Sequence, residues 1–126
     1  MIDLSYLFRR IAHRLRGRVV HVAPKGLSQG NVLVSYTTLP YLDMRPIVLD
    51  AHTNRWECMQ IVRAFVDRGY AVDIIDFDNA AFIPKKKYAY FLDVGRNMER
   101  LAPHLDAACT KIFHGTTAYW QFFTAA

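Results

Sequence analysis

The stretch of sequence at residues 52–79, HTNRWECMQIVRAFVDRGYAVDIIDFDN, specifies one complete helix followed by one strand. Asn54 and Glu57 have the spacing of a capping box, in which each side chain satisfies a backbone N–H that the first helical turn leaves unpaired. Apolar residues then recur every three or four positions, which is the period of an amphipathic helix. They are Trp56, Met59, Val62, Phe65 and Val66. Gly69 predicts the end of this helix, and the apolar run at residues 70–75 predicts a buried strand.

The rest of the chain alternates between strands and helices in the same way. β-rich apolar runs at residues 19–23, 31–36, 88–94 and 110–114 predict further strands, and residues 97–105 predict a short helix. Strands separated by helices favour a parallel sheet that is covered on both faces. We therefore expect an α/β domain built on a single Rossmann-like layer, with a mostly parallel sheet of about four to five strands flanked by helices.

The net charge of +5 lies entirely in the first 25 residues, which hold six Lys and Arg against one Asp. If residues 4–18 form a helix, their apolar side chains lie along one side and the arginines along the other. This pattern predicts a basic amphipathic helix. Such a helix most simply packs its apolar side on the domain, and docking at an anionic membrane is the alternative. Nucleic acid is disfavoured because no stacking platform accompanies the basic residues. We expect this helix and a short strand in residues 1–25, and the Rossmann-like domain in residues 26–126.

The composition, 126 residues of which 52% are hydrophobic, suits one globular core. No run reaches the roughly 18 to 20 continuous apolar residues of a membrane span, and no secretory signal is recognisable, so we expect a cytoplasmic protein. Cys58 and Cys109 have neither CxxC nor metal spacing and predict two reduced, buried thiols. The histidines form no zinc pattern, and neither GxGxxG nor GxSxG occurs, so we expect no metal and no cofactor.

Polar residues follow the predicted strands of the core. Because ligands of parallel α/β sheets bind beyond the carboxyl ends of the strands, these residues form the candidate site. They are Tyr36, Thr37, Thr38, Asp76, Asp78, Gly95, Arg96, Asn97, His114, Gly115, Thr116 and Thr117. His52 and Thr53, at the start of the first crossover helix, belong to the same edge. Asp76 occupies the position of a ribose-binding acid, but the missing GxGxxG argues against that role.

Three of these residues have both a functional and a structural interpretation. His52 precedes a helix N-terminus, whose partial positive charge favours a neutral imidazole, so it is either a general base or a loop histidine that orients the cap. Arg96 either clamps a phosphate or carboxylate or forms a surface ion pair with Glu99 or Asp93. His114 either lines the crevice or is a hydrogen-bonded core histidine.

Four segments resemble the N-terminal domain of GT-B glycosyltransferases, particularly the bacterial group 1-like proteins. They are GNVLVSYTTLPYL, the stretch at residues 52–79, YAYFLDVGRNMERLAPHL and KIFHGTTAYW. The resemblance covers residues 30–126, and its most specific part is HTNxWE followed by GYxVDIIDxDN. Members of that family carry two Rossmann-like domains, with the active site in the cleft between them. The N-terminal domain mainly holds the sugar acceptor, and the C-terminal domain binds the nucleotide-sugar donor.

The resemblance implies an acceptor-side domain or truncated form of a transferase of cell-envelope polysaccharide or glycolipid synthesis. A two-domain transferase needs more than twice this length, so we expect no sugar transfer by this chain alone. The catalytic base implied is His52, if the reaction inverts the sugar. The substrate-binding residues implied are Thr53, Asn54, Gly95, Arg96, His114 and Thr116.

Two other classes of function remain open. The chain fits a stand-alone Rossmann-like ligand-binding module without catalysis, or an interaction subunit that completes another protein. The expected partners are a sugar acceptor and, through a second domain, a nucleotide sugar, but not nucleic acid. Residues 4–18 predict peripheral contact with an anionic membrane, and a homodimer is expected if apolar surface stays exposed.

Overall fold

The computed structural model describes Leu4, residues 17–42 and residues 53–115. Five strands run through these residues: β1 (Val20–Val22), β2 (Asn31–Tyr36), β3 (Ala71–Asp76), β4 (Tyr90–Asp93) and β5 (Thr110–Phe113). The helices are α1 (Leu39–Leu42), α2 (Thr53–Asp67) and α3 (Asn97–Leu101), and a 3₁₀ turn (Ala102–His104) follows α3. The expected strands and the two expected helices of this part of the chain are therefore present, with bounds that differ by one or a few residues.

The strands form one sheet in the order β1-β3-β2-β4-β5. Strands β2, β3, β4 and β5 run parallel, and β1 pairs with β3 in the antiparallel direction at the edge. The expectation of an α/β fold with a mostly parallel sheet flanked by helices is thus confirmed. Helix α2 takes the chain from β2 to β3 on one side, and the chain then crosses to β4 on the other side of β2. The direction of winding therefore reverses between β2 and β4.

The sheet has a hydrophobic core on each face. Apolar residues occupy consecutive positions of its central strands, and successive side chains point to opposite faces. On one face, Val32, Val34, Val72, Ile74 and Leu92 pack against Cys58 and Val62 of α2. On the other face, Leu33, Ile75 and Phe91 pack with Leu101 of α3 and with Tyr88 and Cys109. The three central strands are parallel and buried on both faces, so their carboxyl ends are held side by side at one edge of the sheet.

The face of α2 that packs on the sheet differs from the predicted one at its first position. Trp56 was expected in the apolar stripe, but its side chain is 58% exposed. The buried contacts come instead from Cys58 and Val62, which are four residues apart and lie nearly above one another. Trp56 is two residues from Cys58, so it points about 200° away around the helix. The prediction for Trp56 is therefore wrong, whereas Phe65 and Val66 pack partly against the core as expected.

Several predictions concern residues outside this part of the chain. The predicted basic helix of residues 4–18 falls largely on residues 5–16, outside the described part of the chain, so it stays a prediction. Cys58 and Cys109 are buried and form no disulfide, as expected. Among the described residues, no helix is both long enough and apolar enough to cross a membrane.

A buried carboxylate, Asp73 in β3, ties the edge strand and a loop to the sheet. Its oxygens lie 2.5 Å from Nδ1 of His21 in β1 and 3.1 Å from Nζ of Lys86, and they accept a 2.7 Å hydrogen bond from the hydroxyl of Tyr88. Burial raises the pKa of Asp73, but the bonds from Tyr88, His21 and Lys86 outweigh it and hold the pKa below its usual value. The network is therefore formed by ionised Asp73.

Asp73→Ala is expected to lower the free energy of unfolding at pH 7 by about 3 kcal/mol, because it leaves partners of a buried charge unsatisfied. The lowered pKa means that ionised Asp73 stabilises the fold above the unfolded pKa of about 4, and that this stabilisation is lost as the pH falls through the folded-state pKa. Urea unfolding of both proteins between pH 7 and pH 3 measures the effect.

The matched control is Asp67→Ala, since Asp67 is exposed and pairs only with Arg63 on the surface of α2. That substitution is expected to cost about 0.5 kcal/mol. A loss from Asp73→Ala that is the same at pH 7 and pH 3 would contradict the role of its charge.

Candidate functional site

A cavity of about 770 Å³ lies beyond the carboxyl ends of β2, β3 and β4. It occupies the point at which the winding of the sheet reverses, where open α/β sheets bind their ligands. Its wall is formed by Tyr36, Thr37, Leu39, Asn54, Arg55, Phe77, Asp78, Ala80, Val94, Gly95, Arg96, Asn97 and Arg100. The expected edge of the sheet is therefore also the edge that carries the cavity.

The loops on either side of the cavity are tied to each other by Asp76 and Thr38. The Asp76 carboxylate accepts hydrogen bonds from the backbone N–H of Thr38 at 2.7 Å and from its hydroxyl at 3.0 Å. Thr38 follows β2 and is buried, whereas Asp76 ends β3. The position considered for a ribose-binding acid thus holds the β2 loop in place.

Asn97 joins three elements below the cavity. Its Nδ2 donates to Oγ of Ser35 at 3.0 Å and to the carbonyl oxygen of Phe77 at 3.3 Å. Its Oδ1 accepts a 3.1 Å hydrogen bond from Nε of Arg100. Because Asn97 and Ser35 are both buried, these bonds fix the start of α3 relative to β2 and to the loop after β3.

Arg96 is an exposed residue of the cavity wall, immediately before α3. The alternative ion pairs with Glu99 or Asp93 are not formed among the residues that the structure describes. Asp93 is fully buried and accepts a 2.6 Å hydrogen bond from the backbone N–H of Met98 instead. Gly95 also borders the cavity, but a Cβ at this position would lie 3.7 Å from Phe77, an ordinary contact.

A second group of polar side chains, here called the Glu57 cluster, comprises Tyr36, Glu57 and His114. Glu57 Oε1 accepts a 2.9 Å hydrogen bond from the Tyr36 hydroxyl and lies 2.7 Å from Nε2 of His114. The Tyr36 hydroxyl is also 3.4 Å from Oδ1 of Asn54, so the cluster adjoins the cavity wall. It unites the end of β2, the first turns of α2 and the residue after β5.

Burial keeps two groups in and beside the Glu57 cluster protonated. Burial, together with the hydrogen bond to Glu57, raises the pKa of Tyr36, so its hydroxyl remains a donor. Burial raises the pKa of the neighbouring Cys58 thiol to about 11, which keeps it uncharged. His114, whose side chain is 38% exposed, is the member of the cluster whose ring contacts the Glu57 carboxylate.

The candidate residues from the sequence fall into two groups. Asn54, Gly95 and Arg96 line the cavity. His114 does not line it but contacts Glu57, and the Glu57 cluster adjoins the cavity wall. His52 and Thr116 lie outside the described residues, as does the side chain of Thr53, the first residue of α2. Sequence reasoning missed the contacts of Glu57, because the capping pattern already explained that residue locally. It also missed Arg100, although its position four residues after Arg96 places both on one side of a helix.

The described residues contain no group of three or more His, Cys, Asp or Glu side chains that could hold a metal ion. The chain matches no known protein family, no curated protein and no solved structure. The function must therefore be argued from the cavity and the Glu57 cluster themselves.

The raised pKa of Cys58 predicts that this thiol does not react with iodoacetamide in the folded protein at pH 8, because alkylation requires an accessible thiolate. Burial raises the pKa of Cys109 as well, so we expect less than one thiol labelled per chain under native conditions. Mass spectrometry after timed labelling measures this, with labelling in urea as the control for two reactive thiols. Rapid native alkylation of Cys58 would make it, rather than His114, the reactive group of the site.

Proposed function

We propose that this chain is a Rossmann-like, acceptor-side domain of a glycosyltransferase-like protein, and that its cavity binds a hydroxyl-rich acceptor. The observation that carries the proposal is the cavity at the reversal of the sheet, which adjoins the Glu57 cluster. Ligand binding at such a reversal is typical of open α/β sheets. The resemblance in residues 30–126 indicates the class of reaction, glycosyl transfer. The residues of the cavity wall indicate the chemistry of the ligand.

The cavity wall combines apolar surface with hydrogen-bonding groups, as a sugar ligand requires. Leu39 and Phe77 are 44% and 55% exposed and offer apolar contact to one face of a ring. Asn54, Thr37 and Tyr36 place amide and hydroxyl groups on the same wall. An apolar surface with a few convergent polar groups binds and orients a small polar molecule.

Within this proposal, His114 accepts the proton of an acceptor hydroxyl and Glu57 positions its ring. Because Nε2 faces a carboxylate oxygen at 2.7 Å, this nitrogen carries the hydrogen and Nδ1 is the nitrogen with the free lone pair. A base that is oriented by a carboxylate is a recurring arrangement for removing a proton from a hydroxyl. His52, which the resemblance implies as the base, is the second candidate.

A stand-alone ligand-binding module is the alternative. The observation in its favour is that both faces of the sheet have their own buried core within the described residues. Such a module would use the same cavity and the same polar groups, but the Glu57 cluster would serve only to fix the wall. Its ligand preference therefore separates the two proposals.

Binding experiments on the purified chain test the acceptor role. We expect phenyl glycosides to bind in the cavity, detected as ¹H–¹⁵N shift changes at Thr37, Asn54 and Gly95, whereas the phosphate-free nucleosides uridine and guanosine do not. Asn54→Ala removes a hydrogen-bonding group of the wall and is expected to weaken glycoside binding about fivefold.

The matched control is Asn31→Ala, because Asn31 lies at the opposite end of β2 and donates to the carbonyl oxygen of Lys87. Its glycoside affinity should equal that of the unaltered chain. Binding of a phosphate-free nucleoside such as uridine in the cavity, more tightly than any glycoside, would exclude the acceptor role and support a stand-alone nucleotide-binding module.

A further inference from the structure

We propose that the ligand of the cavity carries a phosphate group, which Arg96 and Arg100 bind together. This inference rests on the proposed function in taking the cavity as the acceptor site, and it adds the class of acceptor: a phosphorylated sugar or a sugar linked to a phosphate-bearing lipid. The charged residues of the cavity wall are Arg55, Asp78, Arg96 and Arg100, three cations and one anion.

Arg100 is held rigidly by neutral oxygen atoms. Its two terminal nitrogens donate to the carbonyl oxygens of Phe82 at 2.7 Å and Asn79 at 2.8 Å, and its Nε donates to Oδ1 of Asn97. A guanidinium has five N–H donors, so two remain after these three bonds. None of its partners among the described residues is a carboxylate, and the positive charge of this half-buried side chain is therefore not neutralised.

Arg96 stands four residues before Arg100, and the backbone N–H of Arg100 lies 3.4 Å from the carbonyl oxygen of Arg96. This spacing puts the two side chains on the same side of α3, where like charges repel each other. Both border the cavity, and no ion pair within residues 17–42 and 53–115 includes either of them. An anion between the two guanidinium groups would convert this repulsion into two attractive contacts.

Phosphate fits this arrangement better than a carboxylate. Two guanidinium forks at different positions require an acceptor with oxygens in several directions, which the tetrahedral phosphate provides. A phosphate monoester also carries nearly two negative charges at neutral pH, matching two arginines. The exposed Leu39 and Phe77 on the same wall favour an organic phosphate over the free, strongly hydrated ion.

A matched pair of ligands tests the inference. Methyl glucoside and glucose 1-phosphate share the sugar and differ in the phosphate, and their binding to the whole chain is measured by ¹H–¹⁵N NMR, including the Nε–H signals of the arginines. We expect glucose 1-phosphate to bind at least tenfold more tightly, to shift the Arg96 and Arg100 Nε–H signals, and to weaken with added salt.

Two variants localise the phosphate. Arg96→Gln is expected to weaken glucose 1-phosphate binding about tenfold, because it removes a charge-assisted hydrogen bond and leaves the fold intact. Arg100→Lys keeps the charge but loses the fork that holds the loop, and is expected to weaken binding to a smaller extent. The control is Arg63→Gln on the exposed surface of α2, which should bind glucose 1-phosphate as the unaltered chain does.

The outcomes separate this inference from the proposed function. Equal affinity for the two ligands, or a phosphate preference that survives Arg96→Gln, would overturn the inference while methyl glucoside binding still supports an acceptor site. Conversely, if inorganic phosphate binds at Arg96 as tightly as glucose 1-phosphate, the phosphate site stands and the sugar-acceptor role fails.

The same arginine signals distinguish a soluble phosphate from a lipid-linked one. Phosphatidylcholine vesicles that contain a polyprenyl phosphate are compared with plain phosphatidylcholine vesicles in displacing glucose 1-phosphate. Displacement by the former alone assigns a lipid-linked phosphate, and displacement by neither assigns a soluble sugar phosphate. Phosphatidylcholine has a phosphodiester of its own, so equal displacement by both vesicles would contradict recognition of a phosphate monoester, the group that only the polyprenyl phosphate adds.

Discussion

The central position of β2, between β3 and β4, is the constraint on which the rest of the structure depends. Its six residues pair with β3 along their whole length and with β4 over four positions. Because the chain leaves β2 toward β3 and later returns to its other side, the loops after these strands diverge at the carboxyl edge. The cavity occupies the space between them, so strand order and site are two consequences of one topology.

The polar side chains of the sheet have two roles: those around Asp73 stabilise the fold, and those at the carboxyl edge border the cavity. Asp73 is held by a hydrogen bond from Tyr88 and by an ion pair with the half-exposed Lys86, which tie β3 to the loop before β4. At the carboxyl edge, Asp76 and Asn97 are occupied by backbone and side-chain groups of neighbouring loops. The groups left to face a ligand are therefore few, and they are concentrated in the Glu57 cluster and the two arginines beside α3.

Local patterns predicted the fold well because each strand is a short apolar run with a clear end. NVLVSY is buried at five of its six positions, and the strand it predicted has the bounds that the structure gives. Trp56 was misplaced because two overlapping stripes exist on α2, and periodicity alone does not decide which of them meets the sheet. The stripe of Cys58 and Val62 is buried because the valines and isoleucine of the sheet lie opposite it.

The sequence predicted which edge of the sheet carries the candidate site, but it did not predict the side-chain contacts there. The rule about carboxyl ends selected Arg96, Asn97 and His114; Arg96 and Asn97 line the cavity, whereas His114 contacts Glu57 and is not part of the cavity wall. The partners of Glu57 and the carbonyl partners of Arg100 lie 18 to 57 residues away in sequence, so no local motif predicts them. Contacts of this range become visible only when the sheet order is known.

The antiparallel strand β1 has a role beyond its three residues. Without it, β3 would be an edge strand with six residues of unpaired backbone, a surface that readily pairs with another chain. Its opposite direction and shortness leave an outer edge too small to serve as a template for a further strand. His21, in the middle of β1, contacts Asp73, so one pair of side chains helps to hold the short strand that covers this edge of β3.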